Sequence, residues 1–138
     1  MTNTLNKSIY LKASKADVWA FLTDSDKLAM WFHKPKTALA QGDAYAMYGA
    51  TSGDKLMWGD IITATPHDYL EYTFTIAPMG DATSTVKWTL EDVAGGTRLS
   101  LVHEGLPAGE DAFGLTLALD KGWDGHFAQL RDALHGAD

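Results

Sequence analysis

The sequence predicts an α+β fold, with a curved antiparallel sheet packed against one long C-terminal helix. Three observations carry that prediction. The last quarter of the chain, from about Asp111 to His135, repeats apolar residues at helical spacing. The middle, from Lys36 to Glu104, alternates with period two between turn-rich separators. Between them and the first strand stand two short helical patterns with no parallel-strand signal behind them, which argues against a doubly wound fold. The chain of 138 residues is expected to form a single domain over 1–138, large enough to bury a core unaided.

Leu5 to Lys12 alternates Ile9 and Leu11 with Ser8, Tyr10 and Lys12, the pattern of a first strand ending at Ala13. Ser14, three residues before Asp17, resembles a capping box that opens a helix over about Lys15 to Thr23, with Val18, Trp19 and Leu22 on its apolar face. Asp24, Ser25 and Asp26 break it and cap a second short helix carrying Leu28, Met30, Trp31 and Phe32, which Pro35 stops.

Six further strands are expected at Thr37–Ala40, Asp43–Tyr48, Lys55–Ala64, Tyr69–Ile76, Thr83–Val93 and Thr97–Glu104. The separators Gln41-Gly42, Thr51-Ser52-Gly53, Thr65-Pro66-His67-Asp68, Pro78-Met79-Gly80-Asp81 and Ala94-Gly95-Gly96 suit tight connections, so the sheet reads as a meander. Gly59, in mid-strand, predicts a bulge or bend.

Leu106 to Glu110 crosses into the long helix. Ala112, Leu115, Leu119, Trp123, Phe127, Leu130 and Leu134 then fall on one face. A helix of that length spans roughly 37 Å, so its partner must be a whole sheet. Gly114, Gly122 and Gly125 interrupt the pattern at about 1 kcal/mol each relative to Ala, which predicts close backbone contact or a bend near Gly122.

Composition excludes several classes of function. The absence of cysteine removes disulfides, thiolate zinc sites and a cysteine nucleophile. A net charge of −7, with no basic patch interleaved with aromatics, makes nucleic acid an unfavourable partner. No stretch approaches the ~20 apolar residues of a membrane span, and Met1 to Asn6 lacks a basic segment followed by an apolar run, so a cytoplasmic protein is expected. His33, His67, His126 and His135 have no metal-ligand spacing with nearby carboxylates; neither a metal nor another cofactor is expected. Asp120, Asp124 and His126 read as solvated helix residues. Ser52-Gly53 and Ser84 lack a nucleophile elbow, and Gly95-Gly96-Thr97 joins two strands rather than opening a helix onto a phosphate.

The order and spacing of Ala16-Asp17-Val18-Trp19, Leu28-Ala29-Met30-Trp31, Trp58-Gly59-Asp60-Ile61, Tyr69-Leu70-Glu71-Tyr72-Thr73-Phe74, Thr85-Val86-Lys87-Trp88-Thr89-Leu90, Gly95-Gly96-Thr97-Arg98-Leu99, Val102-His103-Glu104-Gly105 and Gly122-Trp123 cover nearly the whole chain. In these the sequence resembles the START/SRPBCC helix-grip superfamily, in the branch of the heat-shock protein 90 ATPase activator. The resemblance implies a sheet gripping the C-terminal helix around an apolar cavity. It also implies several functions, because hydrophobic-ligand carriers, polyketide cyclases, hormone receptors and chaperone-associated domains share that fold.

The aromatic residues Trp31, Tyr48, Trp58, Tyr72, Phe74, Trp88, Phe113, Trp123 and Phe127 are the candidate walls of a ligand pocket between sheet and helix. Aromatics also build ordinary cores. For Trp31, Trp58 and Trp88 the pocket reading is preferred. His103 alternates with Leu99 and Leu101 and is the one inward polar candidate: a satisfied core histidine, a ligand-binding group that orients a carbonyl, or a catalytic acid–base group that needs an orienting partner. The leading expectation is a non-enzymatic binder of a small hydrophobic molecule. The alternatives are a stress or chaperone accessory, and a cyclase- or hydrolase-like enzyme using His103. A homodimer would cover exposed sheet edges.

Overall fold

The computed structural model describes residues 2–48, 53–76, 79 and 82–135. Strand β1 (Thr2–Leu11) leads into helices α1 (Lys15–Thr23) and α2 (Ser25–Trp31). The sheet continues through β2 (Lys34–Pro35), β3 (Ala44–Tyr48), β4 (Lys55–Thr65), β5 (Tyr69–Phe74), β6 (Ser84–Val93) and β7 (Gly96–Pro107). One 3₁₀ turn (Glu110–Ala112) then opens into α3 (Phe113–His135). The seven strands lie in the order β1-β7-β6-β5-β4-β3-β2, all pairs antiparallel, so β2 to β7 form a meander and β1 closes on its far edge. This is the expected α+β helix-grip architecture. Among the described residues no helix is long and apolar enough to cross a membrane.

Alternation sets the core face. Register places Leu70, Trp88 and Leu101 abreast, and Tyr72, Val86 and His103 abreast, and all six are buried. The face of α3 bearing Trp123, Phe127 and Leu130 lies on these rows. Ser14 caps α1 as its spacing predicts, its Oγ accepting from the Asp17 N–H at 3.1 Å. Asp24 opens α2 without a side-chain bond, and Ser25 Oγ instead donates to the Pro35 carbonyl at 2.6 Å.

The edge strand β1 pins α3 along its length. Asn3 Nδ2 donates to Thr116 Oγ1 at 3.1 Å, Lys7 Nζ lies 2.8 Å from carboxylate oxygens of both Asp120 and Asp124, and the Lys12 N–H donates to His135 Nε2 at 2.7 Å. The two aspartates are thus tied to the sheet rather than merely solvated.

Several local expectations need correction. No strand forms at Thr37–Ala40; the short edge strand is Lys34–Pro35, paired with Tyr48 and Met47. The Leu39 N–H bonds to the Thr23 carbonyl at the end of α1, which withdraws this segment from the sheet, while Pro35 at an edge needs no outward donor. Strands β1 and β7 both run longer than expected because Thr2 and Asn3 find partners in Pro107 and Leu106.

The glycines divide. A Cβ on Gly59 would stand 2.2 Å from the Thr73 carbonyl oxygen, so β5 crosses β4 too closely for any side chain. The register shift itself falls between Ile61 and Thr63. At Gly114, Gly122 and Gly125 a Cβ would meet nothing within 4 Å, and the close contact expected near Gly122 is replaced by open space. The separator residues Thr51, Ser52, Pro78, Gly80 and Asp81 lie outside the described residues.

Candidate functional site

Between α3 and the β4–β5 end of the sheet lies a cavity of about 170 Å³. From α3 come Leu119, Gly122, Trp123 and His126, spaced by three and four residues and so on one helical face. Opposite stand Leu56 and Met57 of β4, Phe74 of β5 and Ile76 just beyond it, while Phe32 and His33 close the side as the chain leaves α2. A larger recess of about 470 Å³ opens on the other side of Phe32 and His33, lined also by Ala29, Lys34, Pro35, Lys36 and Tyr48. Phe32 and His33 line both spaces.

The polar groups on the cavity wall are imidazoles. His126 Nδ1–H donates to the Trp31 carbonyl at 3.0 Å, which leaves Nε2 as the lone-pair acceptor of the neutral ring. Burial lowers its pKa against the opposing pull of that hydrogen bond. The His33 ring centroid lies 5.3 Å from that of His126, and burial, assisted by the neighbouring imidazole, pushes its pKa down to about 4. Both rings are therefore neutral at physiological pH. Such a wall offers an apolar guest a hydrogen-bond acceptor without a fixed charge.

Behind the cavity runs a closed polar chain. Trp123 Nε1–H donates to His103 Nδ1 at 3.1 Å, His103 Nε2 lies 2.7 Å from Ser84 Oγ, and that hydroxyl donates to the Phe74 carbonyl at 2.8 Å. The serine's one proton goes to Phe74 O, so His103 Nε2 must carry the proton shared with Ser84. Both ring nitrogens are engaged, the residue is fully buried, and burial pushes its pKa down to about 4. Its inward orientation follows from the alternation. Its partners Ser84 and Trp123 come from β6 and α3, and no spacing in the sequence joins them.

The aromatic set separates by depth. Phe74 and Trp123 line the cavity. Trp31, Tyr72, Trp88 and Phe127 are buried in the core beside it, with Trp31 Nε1 bonded to the Phe21 carbonyl at 2.7 Å and Trp88 Nε1 to Tyr72 Oη at 3.0 Å. Tyr48 lines the outer recess. Trp58 stands under the Lys55 ammonium at 4.8 Å, while its neighbours Leu56 and Met57 face the cavity. Phe113 is 56% exposed at the start of α3, away from the cavity.

Phe32, His33, Leu56, Met57, Ile76, Leu119, Gly122 and His126 complete the wall, and His126 is a correction: it is half-buried rather than solvated. Its i+3 spacing from Trp123 on the apolar stripe was the available signal. No group of three or more His, Asp or Glu side chains among the described residues is arranged to hold a metal ion.

The chain is similar to protein MLL2253 from Mesorhizobium loti, with 23% identity, a TM-score of 0.86 and 99% of each chain covered. It is similar to the Aha1 dimer from Colwellia psychrerythraea, with 19% identity, a TM-score of 0.78 and 96% of each chain covered. DynU16, a protein in the dynemicin biosynthetic locus, matches at 22% identity and a TM-score of 0.81 over 98% of this chain and 48% of that one. At these identities the likeness is one of fold. No curated protein matches the chain significantly. The family model for Activator of Hsp90 ATPase homolog 1-like protein matches residues 12–135, from the end of β1 to the last turn of α3, and the chain therefore belongs to that family.

Proposed function

We propose that this protein is a cytoplasmic, non-enzymatic binder of a small hydrophobic molecule held between α3 and the sheet. The observation that carries this reading is the cavity of about 170 Å³, walled by apolar side chains with His33 and His126 beside them. An apolar cavity of about 150 Å³ takes a benzene-sized guest, so the space suits a single-ring body. Likeness in fold to a protein of the dynemicin biosynthetic locus is consistent with small-molecule binding. His103 holds structure in this reading, because both its nitrogens are used within the core.

Gly122 supplies the test. A leucine there starts in open space on a helix it favours, and grows over the cavity it lines. Titration of the protein with ethylbenzene, followed by NMR of the indole N–H signals, is expected to show saturable binding that Gly122→Leu weakens at least about tenfold in a folded protein. Equal affinity in the two proteins would remove the cavity from the proposal.

A chaperone-accessory role is the second reading, and family membership favours it together with the exposed Phe113 and Leu117 at the start of α3. Stimulation of a cognate chaperone ATPase, lost on Phe113→Ser with Leu117→Ser, would support it. The Aha1 relative from Colwellia is a dimer, and a homodimer is proposed here on that likeness; light scattering in solution decides it.

A further inference from the structure

We propose that the ligand of this site is an organic anion, with its ring in the inner cavity and its carboxylate or equivalent group in the outer recess against Lys34 and Lys36. The inference rests on the cavity reading above and adds the charge of the guest. The chain carries 18 acidic residues against 11 basic ones, yet the described lining of the recess holds two lysines and no carboxylate. Drawn from that composition, a charged side chain is more often acidic than basic.

The two cations are also placed. Lys36 Nζ stands 5.4 Å from the centre of the Tyr48 ring, so the ring face holds its charge at the recess wall. Among the described residues Lys34 pairs with Asp26 at 3.4 Å, whose side chain is 87% exposed and which an incoming anion can displace at little cost. Apolar walls from Ala29, Phe32, Pro35 and Tyr48 strengthen attraction to an anion relative to open water.

The shared wall sets the shape of the guest. Phe32 and His33 border both spaces, so a guest with its ring against Phe74 and Trp123 needs a short arm that reaches over His33 to set its acid against the lysines. A single ring with a two- or three-carbon acid arm has that form. Neutral imidazoles along the way add no charge to compete with Lys34 and Lys36.

The test compares 3-phenylpropionate with 3-phenylpropionamide, equal in shape and different in charge, by NMR titration of the whole protein. The acid is expected to bind about tenfold tighter, as charge-assisted contacts allow. In the Lys34→Met, Lys36→Met double variant that ratio falls to near one. Equal binding of acid and amide by the unsubstituted protein overturns the anion inference and leaves the cavity reading intact. A preference that survives the double substitution overturns the placement of the charge. Failure of both compounds to bind sinks the cavity reading, and the anion inference with it.

Discussion

From Trp123 onward α3 buries Trp123, Phe127 and Leu130, whereas before it Leu115 and Leu119 are half-covered and Leu117 is 47% exposed. The same three- and four-residue spacing runs through both. Below the first lies a closed core, where Trp123 and Phe127 meet Trp88 at 5.5 and 5.8 Å between ring centres. The second reaches the cavity wall at Leu119 and Gly122, and Trp123 and His126 carry that wall into the first. Periodicity therefore reports which face of a helix is apolar; what packs beneath decides whether that face becomes core or roof.

Truncation tests this contrast most strongly. Trp123→Ala removes a buried indole and strips His103 of its donor, and is expected to destabilise the fold by about 3–5 kcal/mol. Leu119→Ala touches a half-covered side chain beside existing space and is expected to cost about 1 kcal/mol. Urea unfolding of both variants measures the difference, and equal costs would erase the distinction between the two halves.

Acid provides the next effect. The His103 pKa lies at about 4 in the fold against 6.5 in the unfolded chain, so between those values the unfolded state binds more protons. Stability is complete above pH 6.5 and is lost as pH falls toward 4, by about 3 kcal/mol for this residue. His33 shifts in the same direction from a more exposed position and adds less. His103→Gln is expected to flatten the slope of urea stability against pH in that window; an unchanged slope would remove the closed chain as its source.

Legibility follows the same division. Strand alternation, the Ser14 cap and the α3 stripe are local signals, and each appeared where the residues placed it. Thr37–Ala40 was not legible, because the Leu39 N–H is claimed by Thr23, a tertiary bond that no period records. Among site residues, Phe74 and Trp123 were legible as inward aromatics. His33 and His126 were not, because they lie 93 positions apart and become a pair only when α3 crosses the end of α2. The depth at which Trp31 and Trp88 sit depends on what covers them, which a single strand or helix pattern cannot express.

A smaller effect of opposite sign comes from Gly122. Alanine there meets no neighbour within 4 Å and gains helix propensity, so Gly122→Ala is expected to stabilise the protein by about 0.5–1 kcal/mol. The same change at Gly59 drives a Cβ into the Thr73 carbonyl and destabilises. Thermal melts of the pair give the two signs, and a loss at Gly122 would mean that the roof is closed in solution.

The mildest prediction concerns what keeps a roof with so little core beneath it in place. Lys7 reaches from β1 to Asp120 and Asp124, either side of Gly122, and is itself only 15% exposed along its side chain. Burial works against its charge, and the hydrogen bonds and charges of the two aspartates outweigh it, so its pKa is raised. A lysine raised in this way lends stability fully below its unfolded value of 10.5 and loses it as pH climbs through the folded one. Since the aspartates are 47% and 64% exposed, water and salt screen most of the attraction. Lys7→Met keeps the apolar stem and removes the charge, so it is expected to cost about 0.5 kcal/mol, less at high salt. Hydrogen exchange sharpens the test, because the loss should concentrate in the amides of α3 near Asp120 and Asp124 and spare those around Phe127 and Leu130. Uniform loss along the helix would show that α3 opens as one body, and that its two halves differ in burial without differing in local stability.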